Sequence, residues 1–398
     1  MARKPNKIDK NTIEKLKEEV SKTFAKPILN PIDCDKLSDD IFSKTKHYIS
    51  SSTLKRFWGF HHINFYPSYQ TLNILSAYCG FDGFHNFNFN KKEKSIISEA
   101  DIKLLNEIFN ETDYLSIKDL KEYDESMQLI TRKVALKLRE NPKYFESCIK
   151  DLAKNKLAQI FYFEHFPDYD ILVEYQFKAY EEYLKHKNTC EAKVFGNSLL
   201  FFRGFLLEDK ILMKKYYKIL SSINLEENIH PMAIGRLYKC FLLYNTYVEN
   251  KESKDLIKHI FSIEKKMPRV GLHFTNFPGF HYFVADGLIL CNYNKEAIKL
   301  ITKAFENYNI TREFVWKGYY RQLQLMLAEA YYNIGEKEKS EKLISKINPE
   351  SFYFITRNYF RTRYLILKYK VSKNIKYKKE AINRINESHF NVLLRLLK

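Results

Sequence analysis

Small hydroxyl side chains followed by two cations form the segment of this 398-residue chain with the clearest binding chemistry. Ser51, Ser52 and Thr53 come first, and Lys55 and Arg56 follow within about one helical turn. Short hydroxyl groups allow close approach and bond phosphate oxygens or base edges, while cations neutralise phosphate charge. We therefore expect this segment to contact a nucleic acid.

The neighbouring residues predict helices that would position this segment. Ser38 is the predicted start of a first helix, because the two aspartates after it favour the positive end of a helix dipole. One of the serines at 50–52 caps a second helix, which stops at Gly59. Residues 44–49 then form a tight turn, and two helices joined in this way are the layout of a helix-turn-helix DNA-binding motif.

A third short helix is predicted to begin at Ser68, directly after a proline. Tyr69 and Gln70 at its start are expected to touch phosphate. In the second helix, Leu54 and Phe57 are three residues apart and should face the other helices. The hydroxyl groups and cations are therefore left on the outer face.

These residues resemble the Cro/C1-type (XRE-like) helix-turn-helix family. The resemblance is carried by Ser38-Asp39-Asp40-Ile41 in the scaffold helix, Ser52-Thr53-Leu54-Lys55-Arg56 in the recognition helix, Gly59, Pro67-Ser68, and Thr71, Leu72 and Leu75 in the following helix. The turn before the recognition helix is longer than is usual in the family, and the link over 60–66 is rich in aromatic residues and histidine. The resemblance implies double-stranded DNA as a partner, and a homodimer would place two recognition helices about one DNA turn apart.

The net charge of +18 is compatible with a polyanionic partner, because Lys and Arg release counterions from phosphates. The charge is unevenly distributed. Residues 1–30 hold eight Lys or Arg against four Asp or Glu, and residues 361–398 hold eleven against two. The C-terminal excess is interpreted either as a second nucleic-acid contact or as a solvated terminal helix.

The six cysteines are widely scattered, and no pair has zinc-binding or redox spacing. They are interpreted as small buried residues in a reducing compartment. No apolar run follows the basic first ten residues, so no signal peptide is predicted. The apolar stretch 198–207 is interrupted by Arg203, so no membrane span is predicted either. The expectation is a cytoplasmic protein of bacterial type.

The scarcity of Gly and Pro, at 11 and 10, favours an all-α protein. Candidate helices after the N-terminal module cover 143–164, 168–186, 190–207, 209–222, 231–248, 252–266, 277–291, 294–307, 312–334, 337–347, 350–370 and 376–396. Such lengths with short loops suit helical hairpins stacked side by side. The expected domains are a helix-turn-helix-like DNA-binding domain at 1–90, linker helices at 91–140 and a helical-repeat domain at 141–398.

Part of the repeat domain resembles tetratricopeptide repeats. The resemblance is carried by Leu327, Ala328, Tyr331, Gly335, Ser340, Ile344 and Ile347, and a second copy by Ala285, Leu288, Asn292, Ala297, Ile301 and Ala304. In the second copy Asn292 takes the position of the turn glycine, whose left-handed conformation asparagine tolerates. The alternative interpretation is an irregular helical bundle. The resemblance implies an α-solenoid whose concave face holds a peptide or protein effector.

Four residues are the predicted lining of that concave face: His281, Tyr282, Tyr320 and Gln324. Core packing explains the aromatic side chains among them equally well. The chain lacks phosphate-loop, dinucleotide-binding and His-Glu-Xaa-Xaa-His motifs, so neither an enzyme nor a cofactor or metal site is expected.

The predicted function is that of a DNA-binding transcriptional regulator. Its helical-repeat domain would bind a peptide or protein effector or mediate dimerisation. The alternative is a non-enzymatic protein–protein interaction scaffold that carries a degenerate helix-turn-helix domain.

Overall fold

A computed structural model describes residues 10–61, 67–81, 83–84, 87, 120–225, 229–266, 278–307 and 314–397. These residues form helices and connecting turns, with no β-strand among them, which confirms the expected all-α class. The chain divides into two compact units, unit 1 at 1–96 and unit 2 at 97–398. The boundary between the units falls within the expected linker range 91–140, of which 91–119 lie outside the described residues.

Unit 1 contains four described helices. They are α1 (Lys10–Thr23), α2 (Pro31–Thr45), α3 (Ser51–Phe57) and α4 (Tyr69–Tyr78). α2 packs against α3 and α4, and α1 packs against α4. Their shared core is apolar and includes Leu16, Val20, Leu37, Ile41, Leu54, Phe57, Leu72, Leu75, Phe84 and Phe87. Burial of this set holds α3 against α2, as the spacing of Leu54 and Phe57 predicts.

The predicted start of α2 at Ser38 is wrong. The Asn30 side chain accepts a hydrogen bond from the Asp33 backbone N–H at 3.0 Å, and the Asp33 carboxylate accepts one from the Asn30 N–H at 3.2 Å. This reciprocal capping box, with Pro31 at the first helical position, begins the helix two turns earlier. Ser38 is buried within the helix, where its hydroxyl donates to the Ile49 carbonyl at 2.6 Å.

The starts of α3 and α4 agree with the sequence patterns. The Ser50 hydroxyl accepts from the Thr53 N–H at 3.2 Å, and the Ser68 hydroxyl accepts from the Thr71 N–H at 3.1 Å. Gly59 follows α3 with a φ of +85°, a left-handed conformation that glycine adopts without strain. These two helices are therefore delimited by local interactions.

Unit 2 is built mainly from thirteen described helices of eight or more residues. They are α5 (Leu120–Glu140), α6 (Pro142–Lys154), α7 (Phe177–His186), α8 (Cys190–Leu207), α9 (Lys210–Ser221), α10 (Pro231–Tyr247), α11 (Lys254–Glu264), α12 (Gly279–Leu290), α13 (Asn294–Asn307), α14 (Phe314–Asn333), α15 (Lys337–Ile344), α16 (Arg357–Ser372) and α17 (Ile375–Ser388). A 3₁₀-helical segment, Asn391–Leu397, follows them.

Four predicted helices are interrupted by other conformations: 143–164 and 168–186 contain π-helical segments, 350–370 contains two 3₁₀ turns before the α-helix begins at Arg357, and 376–396 is broken at His389. Asn155 ends the first part of predicted helix 143–164, and its side chain caps a new turn by accepting from the N–H groups of Leu157 and Ala158. The chain then enters a π-helical segment, Gln159–Glu164, and a second one, Leu172–Gln176, lies in predicted helix 168–186. The sequence pattern did not distinguish these wider turns from α-helix.

Neighbouring helices along unit 2 pack as pairs: α8 with α9, α12 with α13, α14 with α15, and α16 with α17. Helices α10 and α12 also pack closely. Gly235 permits this approach because it has no side chain, and a Cβ atom at this position would lie only 2.8 Å from the Phe280 Cα atom. The turn before α13 contains Asn292 with φ +66°, and the turn before α15 contains Gly335 with φ +90°. The predicted left-handed turns at Asn292 and Gly335 are confirmed.

The short turn Tyr169–Ile171 of unit 2 contacts α16, which lies late in the chain. Asn358 of α16 donates to the Asp170 carboxylate at 3.0 Å, and the ring of Tyr359 lies 5.7 Å from that of Tyr169. The C-terminal 3₁₀ segment packs on α8. Early and late parts of unit 2 thus share one core. No helix within the described ranges is long and apolar enough to cross a membrane.

Candidate nucleic-acid interface

Helix α3 presents two different faces. Leu54 and Phe57 are buried in the core of unit 1, whereas Ser52 and Arg56 are exposed. The remaining predicted DNA contacts, Ser51, Thr53 and Lys55, are partly buried. The five predicted residues therefore lie on one short helix, but they differ in how available their polar groups are.

Asp35 of α2 engages two of the predicted contacts. The Ser51 hydroxyl donates to its carboxylate, and Lys55 Nζ lies 2.9 Å from Asp35 Oδ1. The hydrogen bonds from Ser51 and then Lys55 hold the pKa of Asp35 below its ordinary value, so this carboxylate is ionised at neutral pH. The negative charge of Asp35 beside the start of α3 repels phosphate. The same carboxylate forms an ion pair with the Lys55 ammonium group.

Sequence reasoning missed Asp35 because the residue lies 16 positions before Ser51. A signal was present in the capping box at Asn30 and Asp33, which extends α2 back through position 35. Once α2 begins at Pro31, Asp35 belongs to the helix that packs on α3. The contact between Asp35 and α3 is therefore predictable only when the start of α2 is placed at Pro31.

Thr53 contributes to the helix start. Its hydroxyl lies 2.9 Å from the Ser50 hydroxyl, and its backbone N–H is the one that Ser50 caps. Ser52 and Arg56 are the predicted α3 contacts whose side chains are exposed. Directly before α3, the turn exposes Lys46, along with a neighbouring histidine and Tyr48.

Tyr69 and Gln70 occupy the first two positions of α4, and both are exposed. The Tyr69 ring packs edge-on against Phe84, with a centroid separation of 5.8 Å. This contact orients the ring while the residue stays more than half exposed, at 58%. Tyr69 and Gln70 are therefore accessible, as a phosphate contact requires.

The positive charge of unit 1 is modest. Residues 1–96 hold sixteen Lys or Arg against ten Asp or Glu. Each exposed carboxylate near α3 therefore has a strong effect on the local balance. Asp35 directly contacts the candidate interface through Ser51 and Lys55.

Two of the four predicted effector contacts lie in the interior of unit 2. Tyr282 is 2% exposed, and its hydroxyl donates to Gln322 Oε1 at 2.5 Å. His281 is also buried, with Nε2 3.3 Å from Glu264 Oε1. Burial of His281 lowers its pKa despite the opposing effect of Glu264. These two side chains are not on an open face.

Tyr320 and Gln324 are partly exposed on α14. The Tyr320 ring packs against Phe305 at 5.3 Å, and Gln324 Oε1 accepts from Arg321 at 2.7 Å. Both retain accessible surface. The structure therefore does not bring the four predicted effector residues together on one accessible surface.

A buried ionic cluster joins four helices of unit 2. Arg363 of α16 contacts the carboxylates of Asp286 in α12 and Glu329 in α14, and Lys239 of α10 lies 2.7 Å from Asp286. Burial raises the pKa of Asp286, but the two cations outweigh it and the net shift is downward. Sequence reasoning missed the cluster because its members are tens of residues apart.

A polar cleft of about 340 Å³ is lined by residues from the early part of unit 2, between 139 and 175, and from α16 and α17. Arg139 is 3.0 Å from Asp168 and also pairs with Asp170, and the rim carries Glu174 and Glu387. Burial raises the pKa of Asp168 to about 8 against the opposing charge of Arg139. The Asp168 side chain also caps the short turn Tyr169–Ile171.

The described residues offer little for metal or nucleophilic chemistry. No group of three His, Cys, Asp or Glu within the described ranges is arranged to hold a metal ion. Burial raises the pKa of Cys148, Cys240 and Cys291 to about 12, which keeps these thiols protonated and unreactive.

Comparison of the chain with protein-family models, characterised proteins and solved structures returns no match. Function is therefore inferred from the residues and their geometry.

Proposed function

We propose that the chain is a DNA-binding regulator. Unit 1 contacts duplex DNA through the outer face of α3, and unit 2 binds a peptide or protein effector or mediates dimerisation. The observation that carries the proposal is the exposed pair Ser52 and Arg56 on a helix whose opposite face, Leu54 and Phe57, is buried against its neighbours. A helix held in this way can enter a groove as a rigid element.

The side chains of α3 have distinct roles in this proposal. Arg56 is the principal cation, because a guanidinium forms paired hydrogen bonds to guanine or to phosphate. Ser52 bonds a phosphate or base edge. Lys55 is held by Asp35 and contributes less, and the Asp35 carboxylate weakens binding wherever phosphate approaches.

The test is fluorescence anisotropy of the full-length protein with random duplex DNA across a salt series. We expect binding that weakens as salt rises, because counterions are released from phosphates. Arg56→Ala should weaken binding and reduce the salt slope by about one. Asp35→Asn should tighten binding and increase the slope by about one, because Lys55 becomes available to phosphate.

Glu18→Gln provides the matched control for Asp35→Asn. Glu18 is exposed on α1, so the substitution changes the net charge equally at another surface. Equal affinities for Asp35→Asn and Glu18→Gln would contradict a contact at α3. Absence of salt-sensitive DNA binding by the unmodified protein would overturn the regulator proposal.

A second candidate function is a protein interaction scaffold, and exposed apolar side chains in unit 1 favour it. Leu29, Ile32, Phe42 and Tyr48 lie on or beside α2, and each is at least 52% exposed. Such side chains are typical of a surface that contacts protein. Failure of the DNA test would leave this function as the better supported one.

A further inference from the structure

A groove of about 990 Å³ lies between α11 and α13 of unit 2. Its floor is apolar and is formed by Ile257 and Phe261 of α11 together with Ile298 of α13. Ile257 and Phe261 are four residues apart and therefore share one face of their helix. Phe261 and Ile298 are only partly buried, so apolar surface remains available in the groove.

The rim of the groove is strongly basic. Lys258, Lys265 and Lys266 line it from the α11 side, and Lys299 and Lys303 line it from α13. Glu296 is the one carboxylate among the lining residues. A basic rim around an apolar floor defines the chemistry of a complementary partner.

Two of these five lysines already have carboxylate partners. Lys258 Nζ lies 3.1 Å from Asp255, and Lys303 Nζ lies 2.6 Å from Glu264. Lys265, Lys266 and Lys299 have no ion pair with any described residue. The charge on this rim is therefore largely uncompensated by the described part of the chain.

We propose that this groove docks an acidic amphipathic helix of a partner protein. Apolar residues of that helix at spacings of three and four would cover Phe261 and Ile298, and flanking Asp or Glu would pair with Lys265 and Lys299. A nucleic acid would satisfy the lysines through its phosphates but would leave the apolar floor uncovered. The combination of floor and rim therefore favours a peptide helix.

The inference rests on the part of the proposed function that gives unit 2 a peptide or protein effector, and it names the chemistry of that effector. It does not depend on DNA binding by α3. It also assigns the effector to a groove between α11 and α13, instead of to the surface predicted from Tyr282 and Gln324.

The experiment uses the full-length protein and three fluorescent synthetic peptides. The first is an amphipathic helix with leucine on one face and glutamate on the other. The second carries lysine in place of glutamate, and the third has the composition of the first in an order that is not amphipathic. We expect the first peptide to bind about tenfold more tightly than either control.

The double variant Lys265→Glu/Lys299→Glu tests the location of the site. We expect it to weaken binding of the acidic helix at least about tenfold, because two attractive contacts become repulsive. Lys214→Glu/Lys218→Glu is the matched control, since both lysines are exposed on α9 and the change in charge is equal. The control variant should bind as the unmodified protein does.

Three outcomes would overturn the proposal: no binding of the acidic helix at low salt, equal binding of the non-amphipathic peptide, or equal loss in the two double variants. Competition by duplex DNA that also depends on Lys265 and Lys299 would identify a nucleic-acid surface instead. If the protein does not bind DNA through Arg56, the result with the peptides is unaffected. The two proposals can therefore be disproved separately.

Discussion

His165 shows how one half-buried side chain couples the stability of unit 2 to pH. Its Nδ1 atom is shielded from solvent and has no hydrogen-bond partner among the described residues, and its ring packs edge-on against Phe161. Burial, with a smaller contribution from the charge of His230, lowers the pKa of His165 to about 4. The neutral imidazole is therefore the form compatible with the fold.

Acidification should destabilise the protein through this residue. The unfolded chain binds a proton near pH 6.5, whereas folded His165 resists protonation until about pH 4, so stability is lost as pH falls through this window. The loss reaches up to about 3 kcal/mol. Urea unfolding at a series of pH values measures it.

His165→Phe should remove that part of the pH dependence, because phenylalanine does not titrate. His186→Phe is the matched control, since His186 is exposed at the end of α7. Parallel stability curves for the unmodified protein and His165→Phe between pH 7 and pH 4 would disprove the role of His165.

At the scale of single elements, the start of α2 decides which of its side chains contact the candidate DNA interface. Asn30, Pro31 and Asp33 begin the helix early enough to include Asp35, and Asp35 then contacts Ser51 and Lys55. The hydroxyl of Ser38, which the sequence pattern offered as a cap, instead connects the middle of α2 to the turn before α3.

Asn30→Ala should therefore destabilise unit 1 by about 1 kcal/mol, the usual effect of losing an N-cap. Asn30→Asp should retain most of the stability, because its carboxylate also accepts from the backbone at a helix start. Thermal unfolding followed by circular dichroism compares the two. Equal stability of Asn30→Ala and the unmodified protein would show that the helix does not depend on this cap.

Several elements were predictable because their determinants are local. The described bounds of α8 and α13 equal the predicted ranges, and the serine caps of α3 and α4 lie where the pattern indicated. The π-helical segment Leu172–Gln176 was not predictable in this way. Gln176, the last residue of the segment, bridges Phe166 and Asp168 through its side chain, a contact that depends on the folded chain.

At the scale of the whole molecule, the two compact units are expected to unfold separately. Calorimetry of the full-length protein should then show two transitions. Leu54→Ala removes a fully buried side chain from the core of unit 1. It should lower the free energy of unfolding of unit 1 by about 2–5 kcal/mol, and so shift one transition to lower temperature while the other stays in place.

Leu199→Ala in α8 is the complementary variant, because Leu199 is equally buried in the core of unit 2. It should shift the transition that Leu54→Ala leaves unchanged. A shift of both transitions by either variant would show that the units unfold as one cooperative body.

The sequence by itself determined the helical class, most helix positions, the left-handed turns at Asn292 and Gly335, and the hydroxyl and cationic side chains on α3. These features depend on hydrogen bonds and side-chain spacings within a few residues, so a linear pattern carries them. Only the tertiary structure decided that Asp35 holds Lys55, that His281 and Tyr282 are buried, and that Asn358 contacts Asp170. Each of these depends on side chains far apart in the chain, whose proximity is set by how the helices pack.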